Sequence, residues 1–189
     1  MRSKSIWLIL ALILGPYCAW AGNDDNFSPV RKIAGQHFDI YYDQGVDLKG
    51  LLKQLNVSHA DEILSGQTLD NSSDERRLSS MMDILFLRSS DILDLHVYSY
   101  KGSIKIFKSF KDLTDYYNKL YHASLPGTGY AFYLDDKRSV YISSEYFNRD
   151  IIGHEIGYAI MSSYFVVLPS LKIQEVLAGY IEYQLKKSE

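Results

Sequence analysis

The sequence predicts an α+β domain in which a small, antiparallel-leaning sheet packs against two C-terminal helices. Strand-like alternation of apolar residues is clearest over 37–42 and in the hairpin formed by 130–134 and 139–143. Two helical patterns, over 149–164 and 171–187, then close the chain. Strands followed by a run of helices are typical of α+β domains, in which helices cover the sheet.

The first half of the chain is predicted to mix strands and helices. Residues 37–42 alternate and are rich in aromatic side chains, which favours a strand. Leucines recur on one helical face over 47–55, and Asp47 is a suitable N-cap. A second short helix is predicted within 57–69. Met and Leu at helical spacing predict a further helix over 78–88, after an exposed polar loop.

The second half contains the remaining predicted strands. Residues 93–99 alternate between apolar and polar side chains and predict a strand, and 105–107 predict a shorter one. A helix is expected over 110–121 and a loop over 125–129. The polar turn 135–138 joins the two strands of the hairpin.

The N-terminus predicts export from the cytoplasm. Arg2 and Lys4 precede an apolar run over 6–14, and Ala19 and Ala21 frame a small-x-small cleavage site. The run is shorter than the ~20 residues of a membrane-spanning helix, so the expected location is secreted or periplasmic, in a bacterium. An uncleaved anchor is the alternative. The predicted organisation is a signal peptide (1–21), a flexible leader (22–29) and a single domain (30–189).

Removal of the signal peptide would change the composition. Cys18 is the only cysteine and Trp7 and Trp20 are the only tryptophans, so the processed chain would have no disulfide and no thiol nucleophile. Loss of Arg2 and Lys4 changes the formal net charge from −3 to −5. A mildly acidic chain without a basic stripe argues against nucleic acid as a partner. The sequence also lacks a G-x-S-x-G elbow and a glycine-rich phosphate loop.

A degenerate zinc-peptidase motif lies in 151–158, Ile-Ile-Gly-His-Glu-Ile-Gly-Tyr. In the pattern H-E-x-x-H, two histidines one helical turn apart bind one zinc ion, and the glutamate activates the zinc-bound water. His154 and Glu155 fill the first two positions, but Tyr158 stands at the second histidine. Glu175 follows twenty-one residues after His154, on an apolar helix that continues with Leu-Ala-Gly-Tyr.

This arrangement resembles the gluzincin zinc metallopeptidases, most closely over 130–185. In that family a glutamate on the helix after the H-E-x-x-H helix is the third zinc ligand, and a hairpin before the motif supplies the edge strand of the substrate groove. The resemblance implies a zincin-like fold, zinc as the cofactor and a peptide or protein as the substrate. It also implies that His154 and Glu175 are zinc ligands and that Glu155 is the general base. Tyr158 departs from the family pattern and is a doubtful ligand.

Two roles of Tyr158 are open from the sequence. As a zinc ligand it would have to lose a proton whose ordinary pKa is near 10, and its length would move the metal away from Glu155. Alternatively, its ring fills the metal cavity and its hydroxyl bonds His154 or Glu175 directly. The sequence therefore predicts a peptidase with weak hydrolysis, or a non-catalytic pseudopeptidase that binds a peptide or a cell-envelope partner. A purely structural domain is the third possibility.

Several further residues carry weaker expectations. Glu182, seven residues after Glu175, is either a second carboxylate beside the site or a solvated surface group. Gly153 and Gly157 each cost ~1 kcal/mol in a helix relative to alanine, which predicts close backbone packing beneath the sheet. The remaining histidines, which could replace the missing ligand, are expected to be surface or packing residues: His37, His59, His96 and His122.

Overall fold

The computed structural model describes residues 27, 31–125 and 129–187, which form an α+β fold with one five-stranded sheet and six α-helices. The strands are β1 (Arg31–Ala34), β2 (Phe38–Tyr42), β3 (Gly102–Phe107), β4 (Ala131–Leu134) and β5 (Ser139–Ser143). The helices are α1 (Leu48–Leu55), α2 (His59–Ser65), α3 (Asp74–Leu93), α4 (Phe110–Tyr121), α5 (Arg149–Tyr164) and α6 (Leu171–Lys187). The predicted signal peptide, and the predicted leader except for Phe27, lie outside the described residues.

The sheet is mixed, which corrects the expectation of an antiparallel-leaning sheet. Its strand order is β1-β2-β3-β5-β4. The outer pairs, β1 with β2 and β4 with β5, are antiparallel, whereas β3 runs parallel to both of its neighbours. Parallel neighbours need long connections, and α1 to α3 supply the first of them while α4 and β4 supply the second. The hairpin β4–β5 was predicted correctly, and β4 lies at one edge of the sheet.

The predicted strand over 93–99 does not form. Helix α3 continues to Leu93 and ends at Asp94, whose φ of 53° lies in the left-handed region. The segment after it is irregular over 95–97 and turns at 98–99, and it pairs with no strand of the described chain, although Leu95 and Val97 pack against the core and His96 is exposed. The alternation of apolar and polar residues over 93–99 therefore reflects burial of every second side chain, not pairing with another strand.

The helices begin where the sequence supplies a capping side chain. Asp47, Ser58, Ser73, Ser109 and Asn148 each accept a hydrogen bond from a backbone N–H in the first turn of the following helix. Such caps satisfy N–H groups that have no partner within the helix. The predicted bounds of α4, α5 and α6 agree with the structure.

The sheet separates two apolar clusters. Alternation along β3 places Ile104 and Ile106 in the main core, which α3 and α5 cover, and Phe107 on the opposite face under α4. Phe27 belongs to the second cluster, where its ring centroid lies 4.9 Å from that of Phe107. No helix among the described residues is long and apolar enough to cross a membrane.

Two glycines allow α6 to approach α5 closely. A Cβ atom on Gly153 would lie 2.2 Å from Cδ1 of Leu185, and one on Gly157 would lie 2.8 Å from Cδ1 of Ile181. The predicted close packing is present, but its partner is α6 rather than the sheet. This contact holds the motif helix and the Glu175 helix side by side.

Lys105 is a buried cation in the second cluster. It is 4% exposed, and its Nζ lies 5.1 Å from the ring centroid of Tyr141 and 5.7 Å from that of Phe27. Burial, with a smaller contribution from the charge of Lys137, lowers the pKa of Lys105 to about 8.

We expect Lys105→Met to stabilise the protein at pH 7 by about 1–3 kcal/mol, because a pKa shift of one unit corresponds to ~1.4 kcal/mol. The folded state disfavours the protonated amine, so the penalty is fully present below pH 8 and disappears above 10.5, the ordinary pKa. Unfolding measured from pH 7 to 10.5 should therefore show the difference between variant and wild type shrinking. Lys108→Met, at an exposed position just after the same strand, is the control and should show no such trend.

Candidate functional site

A groove of about 810 Å³ lies between β4, α5 and α6. His154, Glu155, Tyr158 and Glu175, the site residues that the sequence predicts, all line it. None of the other four histidines does. The groove is rich in carboxylates and tyrosines, namely Asp150, Glu155, Glu175 and Glu182, and Tyr117, Tyr130, Tyr133 and Tyr158.

His154 lies between two carboxylates of α6. Its Nε2 is 3.6 Å from Oε2 of Glu175, and its Nδ1 is 3.4 Å from Oε2 of Glu182. The seven-residue spacing places both carboxylates on the same side of α6. Glu182 is thus part of the site, as one of the two sequence-based alternatives had it. A carboxylate beside the second ring nitrogen orients a histidine.

Glu155 is 8% exposed, and its carboxyl group lies on the side of the backbone N–H of Tyr133 in β4. Burial, reinforced by the negative charge of Glu175, raises the pKa of Glu155 to about 8. At neutral pH its carboxyl group is therefore mostly protonated. A protonated carboxyl cannot accept a proton from water, so Glu155 is poorly suited to act as a general base in this state.

Tyr158 is half-buried beside both candidate ligands. Its ring centroid lies 5.6 Å from that of His154, and its hydroxyl lies on the side of the Glu175 carboxylate. Burial, followed by the interaction of the hydroxyl with the Glu175 carboxylate, raises the pKa of Tyr158 above its usual range. The phenol therefore stays protonated at neutral pH.

A catalytic zinc requires a set number of protein ligands at a set spacing. Two ligands at 2.0–2.1 Å from a tetrahedral zinc are about 3.4 Å apart, which is close to the 3.6 Å between His154 and Glu175. A catalytic zinc uses three protein ligands, and the third position holds the protonated phenol of Tyr158. Among the described residues, no group of three or more His, Cys, Asp or Glu side chains could hold a metal. The residues therefore do not fit a catalytic zinc, and we assign no step to one.

The edge of β4 forms one wall of the groove. The N–H of Tyr133 points away from β5 and toward Glu155. Backbone groups alternate along a strand, so the N–H of Ala131 points into the groove as well. A free strand edge of this kind can pair with an extended peptide. The sequence indicated the hairpin, but the contact between Tyr133 and Glu155 depends on the packing of β4 against α5.

The motif helix begins at a buried ion cluster. Arg149, the first residue of α5, is 2% exposed, and its guanidinium lies 3.2 Å from Oδ2 of Asp61 in α2. Arg88 of α3 lies 3.6 Å from the other carboxylate oxygen. This cluster joins α2, α3 and α5 at the start of the motif helix. No sequence pattern indicated it, because charges eighty-eight residues apart carry no local pattern.

Comparisons of the chain with protein-family models, with curated proteins and with solved structures found no match. The resemblance to gluzincins therefore rests on the motif residues alone and stays a prediction. The geometry of the groove is the basis for assigning a function.

Proposed function

We propose that the protein is an exported, metallopeptidase-like domain that binds a peptide in the groove, with peptide hydrolysis weak or lost. One observation carries this proposal. Both ring nitrogens of His154 face carboxylates of its own chain, and the protonated phenol of Tyr158 stands where a third zinc ligand would be.

The groove is suited to an extended peptide. The edge of β4 offers backbone groups for strand addition, which provides affinity without requiring a particular sequence. Tyrosines on the groove walls offer aromatic surface with a polar end, a combination that is common at binding interfaces. These features serve binding whether or not a peptide bond is cut.

A weakly active zinc peptidase is the second candidate. The 3.6 Å separation of His154 Nε2 and Glu175 Oε2 favours it, because a zinc ion between them would find two ligands at a suitable spacing. The two candidates differ in metal content and in whether a bound peptide stays intact.

Zinc content is the first test of the proposal. The processed protein, starting at Gly22, is equilibrated with micromolar zinc and desalted, and zinc per chain is measured. We expect essentially none, because the described donor set provides only two ready ligands. About one zinc per chain, lost in Glu175→Gln and accompanied by hydrolysis, would overturn the proposal in favour of an active peptidase.

Peptide retention is the second part of the test. A tryptic digest of casein, used as a mixture of unstructured peptides, is incubated with the protein, and mass spectrometry identifies what is retained and whether it is cut. We expect retained, intact peptides. Ala131→Pro, which removes an N–H at the edge of β4, should abolish retention, with the thermal unfolding midpoint as the check on folding. The absence of any retained peptide in the wild type would contradict a binding function.

A further inference from the structure

The outer side of α6 and the loop before it form an exposed apolar surface. Val166 and Val167, at the tip of the α5–α6 hairpin, are 103% and 83% exposed. We define the outer apolar surface as Val166, Val167, Leu168, Ile173, Val176, Tyr180 and Tyr183, all of which are exposed.

Helix α6 is apolar on two opposite faces. Ala178, Ile181 and Leu185 are buried, and they face α5 at the glycine contact. The exposed residues of α6 recur at spacings of three, four and three, which places them in a stripe on the opposite side of the helix. A surface helix normally presents polar residues there. The fold of the described chain therefore does not account for this second apolar face.

The exposure of the outer apolar surface indicates an interaction site. All seven of its residues are at least 40% exposed, and a large exposed apolar patch on a soluble protein often marks a protein or membrane interaction site. Exposure of apolar side chains to water is unfavourable in free energy. This surface, which ends in two almost fully exposed valines, is therefore expected to be covered by a partner.

The charged side chains of α6 nearest this surface are lysines. Residues 156–171 contain no Asp, Glu, Lys, Arg or His. Lys172 directly follows this stretch, and Lys187 continues the stripe one turn beyond Tyr183. The acidic residues of α6, Glu175 and Glu182, face His154. Within α6, the two ends of the outer apolar surface are thus each bordered by a lysine.

This charge pattern disfavours a second copy of the chain as the partner. If two α6 helices paired in parallel, Lys172 would meet Lys172 and Lys187 would meet Lys187. If they paired antiparallel, Lys172 of one copy would approach Lys187 of the other. Like charges at an interface oppose association.

We propose that the outer apolar surface docks on an anionic lipid bilayer. Val166, Val167 and Leu168 would enter the boundary of the acyl chains, Tyr180 and Tyr183 would lie at headgroup level, and the lysines would contact anionic headgroups. This inference is independent of the proposed function. It also places the groove at the membrane surface, because Leu171, three residues after the tip, lines the groove.

Co-sedimentation with vesicles tests the docking. The protein starting at Gly22, which retains every described residue, is mixed with vesicles of equal parts phosphatidylglycerol and phosphatidylcholine, and with vesicles of phosphatidylcholine alone. The wild type should bind the anionic vesicles more tightly. The double variant Val166→Asp and Val167→Asp should lower binding at least tenfold, because charges at the tip oppose insertion. Both positions are exposed, so the fold should be retained.

A matched control is available on α2. Ile63 and Leu64 are 67% and 57% exposed, and Ile63→Asp with Leu64→Asp removes a similar apolar pair. Helix α2 contacts the first residue of α5 through Asp61, whereas the tip follows the last residue of α5. The two ends of this sixteen-residue helix are roughly 24 Å apart. This control should bind vesicles as the wild type does.

A tryptophan at the tip provides a direct readout. The protein starting at Gly22 contains no tryptophan, so Val167→Trp is a single reporter, and its emission should shift to the blue with anionic vesicles only. Absence of wild-type binding, or equal binding by the aspartate variant, would overturn the proposal. So would equal binding to neutral vesicles. A dimer that the aspartate variant dissociates, without vesicle binding, would assign the surface to contact between copies instead.

Discussion

Replacement of Tyr158 by histidine is expected to raise the affinity for zinc by at least ~100-fold, to about one retained zinc per chain. The imidazole would supply the third ligand, one helical turn after His154 and beside Glu175, whose Oε2 already lies 3.6 Å from His154 Nε2. The substitution also removes the phenol beside the Glu175 carboxylate. Competition with a chromogenic zinc chelator measures the change.

Two variants separate a gain of a ligand from the loss of the phenol. Tyr158→Phe frees Glu175 without adding a ligand, so its zinc affinity should stay close to that of the wild type. Adding Glu175→Gln to Tyr158→His should remove the gain, because the distal ligand is lost. An unchanged affinity in Tyr158→His would count against the gluzincin resemblance, and a gain that survives Glu175→Gln would identify a different carboxylate as the ligand.

The sequence predicted local structure well where one pattern was continuous. The bounds of α5 were predicted from its helical pattern, and the β4–β5 hairpin from the polar turn between its strands. The prediction was wrong over 93–99, because alternate burial of an irregular segment resembles the pattern of a half-buried strand. Residues 31–34, the edge strand β1, gave no recognisable pattern.

The pairing of strands that are distant in the sequence could not be predicted. The parallel pairing of β3 with β2 and β5 joins segments separated by whole helices, and nothing local encodes it. The same limit applies within the site. The motif spacing brought His154 and Glu175 together correctly, but the position of Glu182 and the contact of Glu155 with Tyr133 depend on how α6 and β4 pack against α5.

The buried ion cluster at the start of α5 predicts a large loss of stability in Asp61→Ala. The Asp61 carboxylate is 1% exposed and lies near two guanidinium groups, those of Arg149 and Arg88. Its removal takes away the carboxylate that lies between these two guanidinium groups, and breaking a buried ion pair typically costs ~3–5 kcal/mol. Urea unfolding at pH 7 measures the loss.

Asp112→Ala is the matched control, because Asp112 occupies the same third helical position after a capping serine. Asp61 accepts from the N–H of Ser58, and Asp112 accepts from the hydroxyl of Ser109 at 2.6 Å, but Asp112 is exposed and is not part of the cluster. Its loss should cost only about 1 kcal/mol, the usual value of a capping interaction. Equal losses in the two variants would mean that the arginines are stabilised without Asp61, and that capping alone explains its effect. A difference of ~2 kcal/mol or more would show that the ion cluster, which holds α2 against the start of the helix that carries His154, stabilises the fold beyond the cap of α2.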